Sequence, residues 1–405
     1  MELTSQFGSA EVETIPAGWK VEPVGEAFDI CNSLRLPISQ DVRKTMIGQY
    51  PYYGPTSVQG FINEYRVEGE FALIGEDGDH FLKWRNTPMT LLVSGKFNVN
   101  NHAHIVQGSK NLTSWFYYYF SHKDLTNYLT RQGAGRYKLT KRTLINIPCV
   151  LPPLPEQRAI AAALSDTDAL LSSLDRLLAK KRDIKQAVMQ QLLTGKQRLP
   201  GFSGEWEVKR LGEMGFTYGG LSGKSKADFG EGSSRYIPFM NIMRNVVIDP
   251  ENLERVRVAI GEVQNIAKKG DLFFNGSSET PEEVGLCSVL LESLSDVYLN
   301  SFCFGYRLRE GVESDGTYLA YFFRSNEGRK LVYSLAQGAT RYNLSKSNFL
   351  KLKMPLPELP EQAAIAAVLS DIDAEIDALQ QRRDKTRAIK QGMMQELLTG
   401  RTRLV

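Results

Sequence analysis

The sequence has few cysteines, no long apolar run and little net charge, and each scarcity excludes a class of protein. Four cysteines in 405 residues, with no CxxC pair, offer no disulfide framework. No run approaches the ~20 apolar residues of a membrane span, and the opening residues MELTSQFGSAEVE lack the basic and apolar regions of a secretory signal. A formal net charge of +3 is too small to indicate nucleic acid by itself. We therefore expect a cytoplasmic protein without a membrane segment, and its length predicts two or three domains.

An internal duplication organises the chain. The segment Leu151–Leu170 returns as Leu356–Glu375, at an offset of 205, and 29 of the 49 positions in Leu151–Leu199 match their counterparts without a gap. Further upstream, Trp19–Glu26 resembles Trp206–Glu213 at the smaller offset of 187. The stretches between these matches therefore differ in length, and they share little sequence. A divergent globular region followed by a nearly invariant segment is thus present twice.

Each copy of the invariant segment predicts one long helix. Pro155 and Pro360 suit the first helical turn, and Gly195 and Gly400 suit the position just past the last turn. About 38 residues without proline lie between them, roughly 57 Å at 1.5 Å per residue. Seam residues recur at alternating spacings of three and four, as in a coiled coil. The predicted seam residues are Leu164, Leu171, Leu174 and Leu178 in the first helix, with Thr167 at the position between the first two, and Leu369, Ile372, Ile376 and Leu379 in the second.

Charge indicates how the two helices are oriented. Residues 156–175 carry −3 and residues 176–198 carry +6, while residues 361–378 carry −5 and residues 379–405 carry +5. Antiparallel packing sets each acidic half against a basic half, whereas parallel packing faces acid with acid. We therefore predict an antiparallel coiled coil. The alternative is that each helix lies on its own globular domain.

The globular regions predict α/β-mixed domains with many short strands. The apolar runs Phe71–Asp79 and Asp271–Glu279 end in glycine-rich turns, which is typical of strands. The aromatic-rich stretches Ser114–Leu129 and Thr317–Leu335 predict helices whose aromatic side chains, in the clusters Trp115–Phe120 and Tyr321–Phe323, face a core. The predicted fold class is α+β, with two mixed domains separated by two long helices in a pseudo-twofold internal duplication.

Several fragments suggest chemistry, but none completes its motif. The segment Gly219–Ser225 resembles a phosphate-binding loop, yet the position that requires the first glycine is Tyr218. His102 and His104 share one face of a strand, but no carboxylate or cysteine cluster visibly joins them as further metal ligands. We therefore predict no catalytic residue, no metal site and no cofactor in this chain.

A repeated basic and aromatic motif predicts contact with nucleic acid. GAGRYKLTK and GATRYNLSK are separated by the same offset as the two long helices, and each places an Arg-Tyr pair and then a lysine beside a glycine. Arginine and lysine suit phosphates and guanine edges, and tyrosine offers a stacking surface. The alternative is that the two arginines pair with carboxylates where each domain joins its helix. The candidate DNA-contacting residues are Arg136, Tyr137, Lys138 and Lys141 in the first copy, Arg341, Tyr342 and Lys346 in the second, and His102 and Asn300 outside the motif.

The doubled pattern resembles the specificity subunits of type I restriction–modification enzymes. A divergent domain precedes LPxLPEQ, which opens a long helix ending in LLTG, and the whole is repeated over nearly all of the chain. In that family each variable domain reads one half of a bipartite, asymmetric DNA site, and the two helices act as a spacer. The resemblance implies target-recognition domains at residues 1–150 and 199–355, with conserved spacer helices at residues 151–198 and 356–405. The family's base-reading residues follow no motif, so the resemblance transfers none of them.

The resemblance also implies partners and cofactors. The implied partners are double-stranded DNA, two methyltransferase subunits and restriction subunits, without a membrane. S-adenosylmethionine, ATP and Mg would belong to those partner subunits, which agrees with the missing motifs here. Two similar units on antiparallel helices would also match the dyad of duplex DNA. The alternative function is a coiled-coil scaffold that joins two protein partners without reading bases.

Overall fold

A computed structural model describes residues 15–132, 136–280, 282–338 and 342–404, and these form two compact units. Unit 1 comprises residues 1–174 and 382–405, and unit 2 comprises residues 175–381. Each unit therefore contains one globular domain, the beginning of one long helix and the end of the other. Helices and sheets are mixed in both units. In the described part of the chain, no helix is long and apolar enough to cross a membrane.

Unit 1 is built on a six-stranded sheet in the order β2–β7–β5–β6–β3–β4. Neighbouring strands run antiparallel except β3 and β6, which run parallel. Two further pairs, β1–β10 and β8–β9, complete the domain. The elements are β1 (Lys20–Pro23), α1 (Val24–Ala27), β2 (Asp29–Ile30), α2 (Gln40–Thr45), β3 (Ile47–Tyr53), β4 (Val58–Ile62), β5 (Val67–Gly75), β6 (Thr90–Val99), β7 (Ala103–Gln107), α3 (Thr113–Ser121), β8 (Thr130–Gln132), β9 (Arg136–Lys138), α4 (Lys141–Ile145), β10 (Pro148–Leu151) and the beginning of α5 (Leu154–Leu192).

Unit 2 divides its strands among smaller sheets. An antiparallel sheet in the order β12–β19–β15–β17 forms its centre, and the sheets β14–β13–β18, β16–β21–β20 and β11–β22 surround it. The elements are β11 (Glu207–Arg210), α6 (Leu211–Met214), β12 (Gly215–Gly219), β13 (Phe229–Ile237), α7 (Phe239–Arg244), β14 (Glu254–Val256), β15 (Leu272–Asn275), β16 (Ser277–Ser278), β17 (Cys287–Val289), β18 (Val297–Leu299), β19 (Cys303–Leu308), α8 (Gly316–Arg324), α9 (Asn326–Tyr333), β20 (Ala336–Gln337), β21 (Tyr342–Leu344), α10 (Lys346–Phe349), β22 (Lys353–Leu356) and the beginning of α11 (Leu359–Leu397).

The aromatic helices form the cores, as the sequence predicts. In unit 1, Trp115 and Phe116 of α3 are fully buried and share one cluster with Ile160 of α5. In unit 2, Phe323 of α8 packs in the same cluster as Ile365 of α11. Burying an aromatic or aliphatic side chain stabilises the fold by about 1.5–3 kcal/mol. Each long helix therefore begins as part of the core of its own unit.

The helix predicted at Ser114–Leu129 ends already at Ser121, and the helix predicted at Thr317–Leu335 is interrupted. It is two helices, α8 and α9, because Ser325 adopts an extended backbone between them. The Ser325 hydroxyl accepts a hydrogen bond from the N–H of Gly328 at 3.2 Å and so caps α9. The sequence hides this break, because residues 324–327 contain neither proline nor glycine to mark it.

The long helices end where the sequence predicts. Both α5 and α11 contain 39 residues, and Gly195 and Gly400 follow them with φ of 68° and 72°. Such left-handed values are easily adopted only by glycine. Of the predicted seam residues, Leu164, Leu174, Leu178, Leu369 and Ile376 are buried, and Leu171, Ile372 and Leu379 are half-buried.

In unit 1 the beginning of α5 runs antiparallel to the end of α11. Glu156, in the first turn of α5, pairs with Arg403, which lies just past α11. Asp168, three turns further along α5, pairs with Lys390. Since the partner's number falls as the number along α5 rises, the two segments run in opposite directions.

Unit 2 shows the same arrangement with the helices exchanged. Lys185 of α5 pairs with Asp373 of α11, and Arg198, just past α5, pairs with Glu361 in the first turn of α11. The acidic beginning of one helix thus meets the basic end of the other within each unit, as the charge pattern predicts.

The two domains share a backbone framework that their sequences hide. The N–H of Val24 donates to the carbonyl of Ile147 at 2.9 Å. The N–H of Leu211 donates to the carbonyl of Leu352 at 3.0 Å. These two bonds lie at the same place in each duplicated unit, where the domain's first segment meets its last one.

Equivalent positions in the central strands show where the two domains differ in length. Ile74 of β5 lies opposite His104 of β7, and Phe274 of β15 lies opposite Phe304 of β19. The offset in numbering between these equivalent positions is 200, compared with 187 at the start of the domains and 205 at their ends. Most of the extra length of the second domain therefore precedes its central strand, and a smaller part follows β19.

Candidate nucleic-acid interface

The two copies of the Arg-Tyr motif occupy equivalent places in the two units. In unit 1 the N–H of Leu139 donates to the carbonyl of Glu76, at the turn after β5, at 2.7 Å. In unit 2 the N–H of Leu344 donates to the carbonyl of Gly276, at the turn after β15, at 2.9 Å. Each motif is therefore held against the end of a central strand. Loops at this position can present side chains to a ligand while a rigid sheet fixes their backbone.

In unit 1 the motif lies on the short hairpin β8–β9. The backbone of Arg136 pairs with Gln132 in this hairpin, but the Arg136 side chain lies outside the described part of the structure. Tyr137 accepts a hydrogen bond from Arg131 at 2.9 Å, and the Arg131 guanidinium lies 5.1 Å from the centre of the Tyr137 ring. This cation–π pair would stack beside a base or place a second positive charge next to a phosphate.

The two predicted lysines of unit 1 differ in their surroundings. Lys138 is half-buried, and its Nζ lies 3.4 Å from the carboxylate of Glu76. Arg35 also pairs with Glu76, at 2.7 Å. Lys141 is exposed in the first turn of α4 and has no ion pair with any described residue. Lys141 is therefore free to contact a phosphate, whereas Lys138 already neutralises a carboxylate.

His102 and His104 lie in different surroundings. His102 is 42% exposed at its side chain and lies 2.9 Å from Asp77, directly beside the hairpin. His104 is fully buried and donates from Nε2 to the carbonyl of Leu139 at 2.7 Å, while its Nδ1 accepts from Arg35. Burial lowers the pKa of His104, so its neutral form supports the segment that follows the hairpin.

The two histidines do not meet at a metal site. Among the described residues, no group of three or more histidine, cysteine, aspartate or glutamate side chains is placed to hold a metal ion.

Unit 2 presents a smaller set of predicted residues at its equivalent place. Arg341 lies outside the described residues. Tyr342 is half-buried in β21, opposite Ser278 of β16. Lys346 is exposed in the first turn of α10 and, like Lys141, has no ion pair with any described residue. Lys141 and Lys346 occupy the same position in the duplication. At this position each unit therefore has an exposed lysine without an ion pair to a described residue.

Asn300 shapes the turn before β19. Its side-chain oxygen accepts the N–H of Phe302 at 2.9 Å. Asn100 does the same in unit 1, accepting the N–H of His102 at 2.8 Å. Sequence reasoning selected Asn300 and missed Asn100, although the two occupy equivalent positions beside the central strands. The second asparagine could have been found only by aligning those strands, which have too little sequence in common.

Each domain is fastened to the helix pair by a tyrosine, an aspartate and a lysine. In unit 1 the hydroxyl of Tyr118 donates to Asp168 of α5 at 3.1 Å, and Lys390 of α11 pairs with the same aspartate. Lys390 also lies 5.8 Å from the centre of the Tyr118 ring. Burial, followed by the Asp168 charge, raises the pKa of Tyr118, so this hydroxyl stays protonated and keeps donating.

The same three residue types recur in unit 2. Tyr321 of α8 donates to Asp373 of α11 at 2.8 Å, and Lys185 of α5 pairs with Asp373. Burial also raises the pKa of Tyr321. The aspartates and the lysines are separated by the offset of the duplicated helices, and the tyrosines by a slightly smaller one. Sequence reasoning missed this fastening, because the tyrosines lie among aromatic residues that pack in the core.

A second repeated contact joins each domain's first residues to the helix ends. Glu156 is fully buried and accepts from the indole N–H of Trp19 at 2.9 Å and from Arg403 at 2.7 Å. Burial raises the pKa of Glu156, but the hydrogen bonds from Arg403 and Trp19 outweigh it, so the pKa lies below its ordinary value. Arg403 also donates to the carbonyl of Ala17 at 3.1 Å, which holds the last residues of the chain beside the first described ones.

In unit 2 the corresponding carboxylate is Glu361. It accepts from the indole N–H of Trp206 at 3.2 Å and from Arg198. Among the described side chains, Arg198 and Arg403 therefore pair with carboxylates where a domain joins a helix, while Arg341 and the Arg136 side chain lie outside the described residues.

Three of the four cysteines are buried. Burial raises the pKa of the Cys303 thiol to about 12 and raises those of Cys149 and Cys287 as well. Lys224, in the segment that resembles a phosphate-binding loop, pairs with Glu262 and is almost buried. This pairing lowers the pKa of Glu262 to about 2.

Comparison with known proteins points to one family. The family model described as the type I restriction modification DNA specificity domain matches residues 16–181 and again residues 203–386. The chain is 28% identical over 367 residues to a protein named for a type I restriction enzyme specificity subunit, S.HindORF215P, from Haemophilus influenzae. That match covers 88% of this chain and 87% of the relative.

A more distant relative and a solved structure are also similar to this chain. The type I restriction enzyme MjaVIII specificity subunit of Methanocaldococcus jannaschii is 23% identical, with 96% of this chain and 94% of the relative covered. The crystal structure of the S subunit of a type I restriction–modification system from M. genitalium has a similar fold, with a TM-score of 0.62 at 14% identity. That likeness covers 95% of this chain and 96% of that chain.

Proposed function

This chain belongs to the family of type I restriction–modification DNA specificity subunits, and we propose that each of its two domains reads one half of a bipartite, asymmetric DNA target. Within such a system the chain is the DNA-recognition component and carries no catalytic role. One observation carries the proposal: the two domains share a framework of backbone hydrogen bonds, but their sequences differ. The same backbone bonds hold both Arg-Tyr motifs, whereas the residues around them differ.

The proposed domains follow the boundaries predicted from the sequence. Residues 1–150 and 199–355 would be the target-recognition domains, and residues 151–198 and 356–405 would be the spacer helices. The ion pairs within each unit support an antiparallel coiled coil, since each acidic helix beginning meets a basic helix end. The repetition of these contacts supports a pseudo-twofold relation between the two halves of the chain, which would match the dyad of duplex DNA.

The proposed DNA contacts are the residues around the two Arg-Tyr motifs. Lys141 and Lys346 would bind phosphates, because both are exposed and have no described ion-pair partner. Arg131 and Tyr137 would act together beside them. The other candidates, Arg136, Lys138, Arg341, Tyr342, His102 and Asn300, stay predictions.

The proposed partners carry the chemistry. Two methyltransferase subunits and the restriction subunits would dock on this chain and supply S-adenosylmethionine, ATP and Mg. Base flipping by the methyltransferases would expose the target base. We expect this assembly to act in the cytoplasm, where it meets chromosomal DNA. A scaffold that joins two proteins without reading bases is the alternative, but it gives no reason for two exposed lysines at equivalent places.

The test is methylome sequencing of cells that express the chain with its methyltransferase partner. A bipartite motif that appears only when this chain is present would support the proposal. The exchange of residues 199–355 for the matching domain of a relative should change one half of the motif and leave the other half unchanged. If the motif does not depend on the chain, the scaffold alternative is correct.

A further inference from the structure

A two-stranded ribbon occupies the same topological position in each domain. In unit 1, β3 pairs in parallel with β6 and antiparallel with β4. In unit 2, β13 pairs in parallel with β18 and antiparallel with β14. Both ribbons come from the stretch before the central strand, where the second domain has most of its extra length. The stretch that differs most in length between the two domains therefore contains a ribbon attached to a shared framework.

An equivalent hydrogen bond in each domain identifies which positions of the two ribbons correspond. The N–H of Asn100 donates to the carbonyl of Tyr53 at 3.0 Å, and the N–H of Asn300 donates to the carbonyl of Ile237 at 3.2 Å. Tyr53 and Ile237 thus correspond. Two residues earlier along the same strands stand Pro51 and Arg235.

The cross-strand partners at this position differ in chemistry. Pro51 lies opposite Phe61, which is 57% exposed. Arg235 lies opposite Arg255, and both arginines are exposed. One ribbon therefore presents an apolar pair and the other presents two guanidinium groups at the same place.

The arginine pair has no counter-ion among the described residues. Like charges directly opposite each other on neighbouring strands are destabilising. Neither Arg235 nor Arg255 forms an ion pair with any residue that the structure describes, whereas the nearby Arg257 pairs with Glu231. A sheet that keeps two such arginines face to face has a surface suited to an electron-rich ligand.

The backbone under the arginines is fixed before any ligand arrives. On the opposite face of the ribbon, Tyr236 and Val256 pack in a small buried cluster with Leu221 and Tyr298. The hydroxyl of Tyr236 donates to Glu254. The ribbon therefore holds Arg235 and Arg255 at a set spacing, which lowers the entropy cost of binding.

We propose that Arg235 and Arg255 read guanine in the half-site bound by the second domain. This inference rests on the proposed function. The major groove of B-DNA admits a two-stranded ribbon, and arginine binds guanine O6 and N7 with two hydrogen bonds. The first ribbon would make apolar contacts, such as Phe61 against a thymine methyl group.

The contrast between the ribbons distinguishes base contact from phosphate contact. Phosphates are the same in both half-sites, so a pair that served only phosphates should be basic on both ribbons. The basic pair is present at this position on one ribbon alone. A specificity role explains this difference, since the two halves of the target are read as different sequences.

The experiment uses the full chain co-expressed with its methyltransferase partner, and compares wild type with Arg235→Ala, Arg255→Ala, Arg235→Lys and Arg255→Lys. Methylome sequencing gives the motif, and binding of the purified complex to target duplexes gives affinity against salt. The alanine variants should weaken binding to the target about 5- to 150-fold and accept other bases at one guanine of one half-site. The lysine variants keep the charge but lose the two-bond geometry, so they should also lose base preference.

The control is Arg210→Ala, which removes an exposed arginine from β11 of the same unit. It should leave the motif unchanged. Equal weakening on every sequence, with normal binding by the lysine variants, would overturn the inference in favour of phosphate contact. An unchanged motif in all four variants would overturn it outright. If the wild-type complex itself yields no motif that depends on this chain, the proposed function fails instead.

Discussion

At the scale of single residues, the structure distinguishes lysines that form ion pairs from lysines that do not. Lys138 pairs with Glu76, while Lys141 and Lys346 have no ion-pair partner among the described residues. Sequence spacing cannot make this distinction, because Glu76 lies in the turn after β5, far from Lys138 along the chain. Only the free lysines can neutralise phosphates without first breaking an internal ion pair.

Lys141→Ala and Lys346→Ala should weaken DNA binding on all sequences alike. Each variant should lower the slope of log K against log salt by about 1, because one phosphate contact is lost. The measurement is a salt titration of binding by the methyltransferase complex. Lys330→Ala, which removes an exposed lysine paired with Glu327, is the control and should leave the slope unchanged. A change in the base preference instead would contradict the phosphate assignment.

The buried Glu156 should make unit 1 sensitive to acid. Its folded-state pKa is lower than the ordinary value of 4.5, so its contribution to stability is complete above about pH 4.5 and is lost as pH falls through the folded pKa. Glu156→Gln should lower the free energy of unfolding by about 1–3 kcal/mol at pH 7, because Arg403 loses its charged partner.

Urea unfolding of wild type and Glu156→Gln between pH 3 and pH 7 tests this point. The two midpoints should differ at neutral pH and converge in acid. A constant difference across the range would show that the carboxylate charge is not the source of the stability.

At the scale of elements, α3 and α8 are each fastened to both long helices by one aspartate. Tyr118→Phe and Tyr321→Phe should each cost about 0.5–1.5 kcal/mol, because each removes one hydrogen bond and leaves the ring in place. Hydrogen exchange should rise in α3 for the first variant and in α8 for the second. Tyr333→Phe, at an exposed site, is the control. Equal exchange in all three variants would mean that core packing alone holds these helices.

The long helices were well predicted because every signal was local. Pro155 and Pro360 start them, Gly195 and Gly400 follow their ends, and the apolar spacing persists between. The strands were harder, since β16, β20 and β21 are only two or three residues long and depend on partners far along the chain. The break at Ser325 was missed because neither proline nor glycine marks the junction at residues 324–327.

At the scale of the whole molecule, the helices should act as a ruler between the half-sites. Four residues inserted after Lys180 in α5, with four more after Ala378 in α11, lengthen both helices by about 6 Å at 1.5 Å per residue. The paired insertion keeps the ion pairs on either side of it, since Asp168 stays with Lys390 in unit 1 and Lys181 stays with Glu375 in unit 2.

The spacer of the methylation motif should grow by one to two base pairs, given a rise of about 3.4 Å per base pair. Both half-site sequences should stay the same, because neither recognition domain is altered. Methylome sequencing of the insertion variant is the measurement. An unchanged spacer with altered half-sites would exclude the ruler.

Repetition, helix ends and charge pattern belong to the sequence itself. They specified the duplication, two long helices of about 38 residues and their antiparallel preference, because these properties depend on neighbours within a few turns or on the summed charge of a segment. The likeness of the two domains was decided only in the tertiary structure. Backbone hydrogen bonds hold the central strands in the same register regardless of side chains, so the frameworks agree where the sequences do not. The Arg235–Arg255 pair became visible for that reason, because the two arginines lie on different strands and only strand pairing brings them face to face.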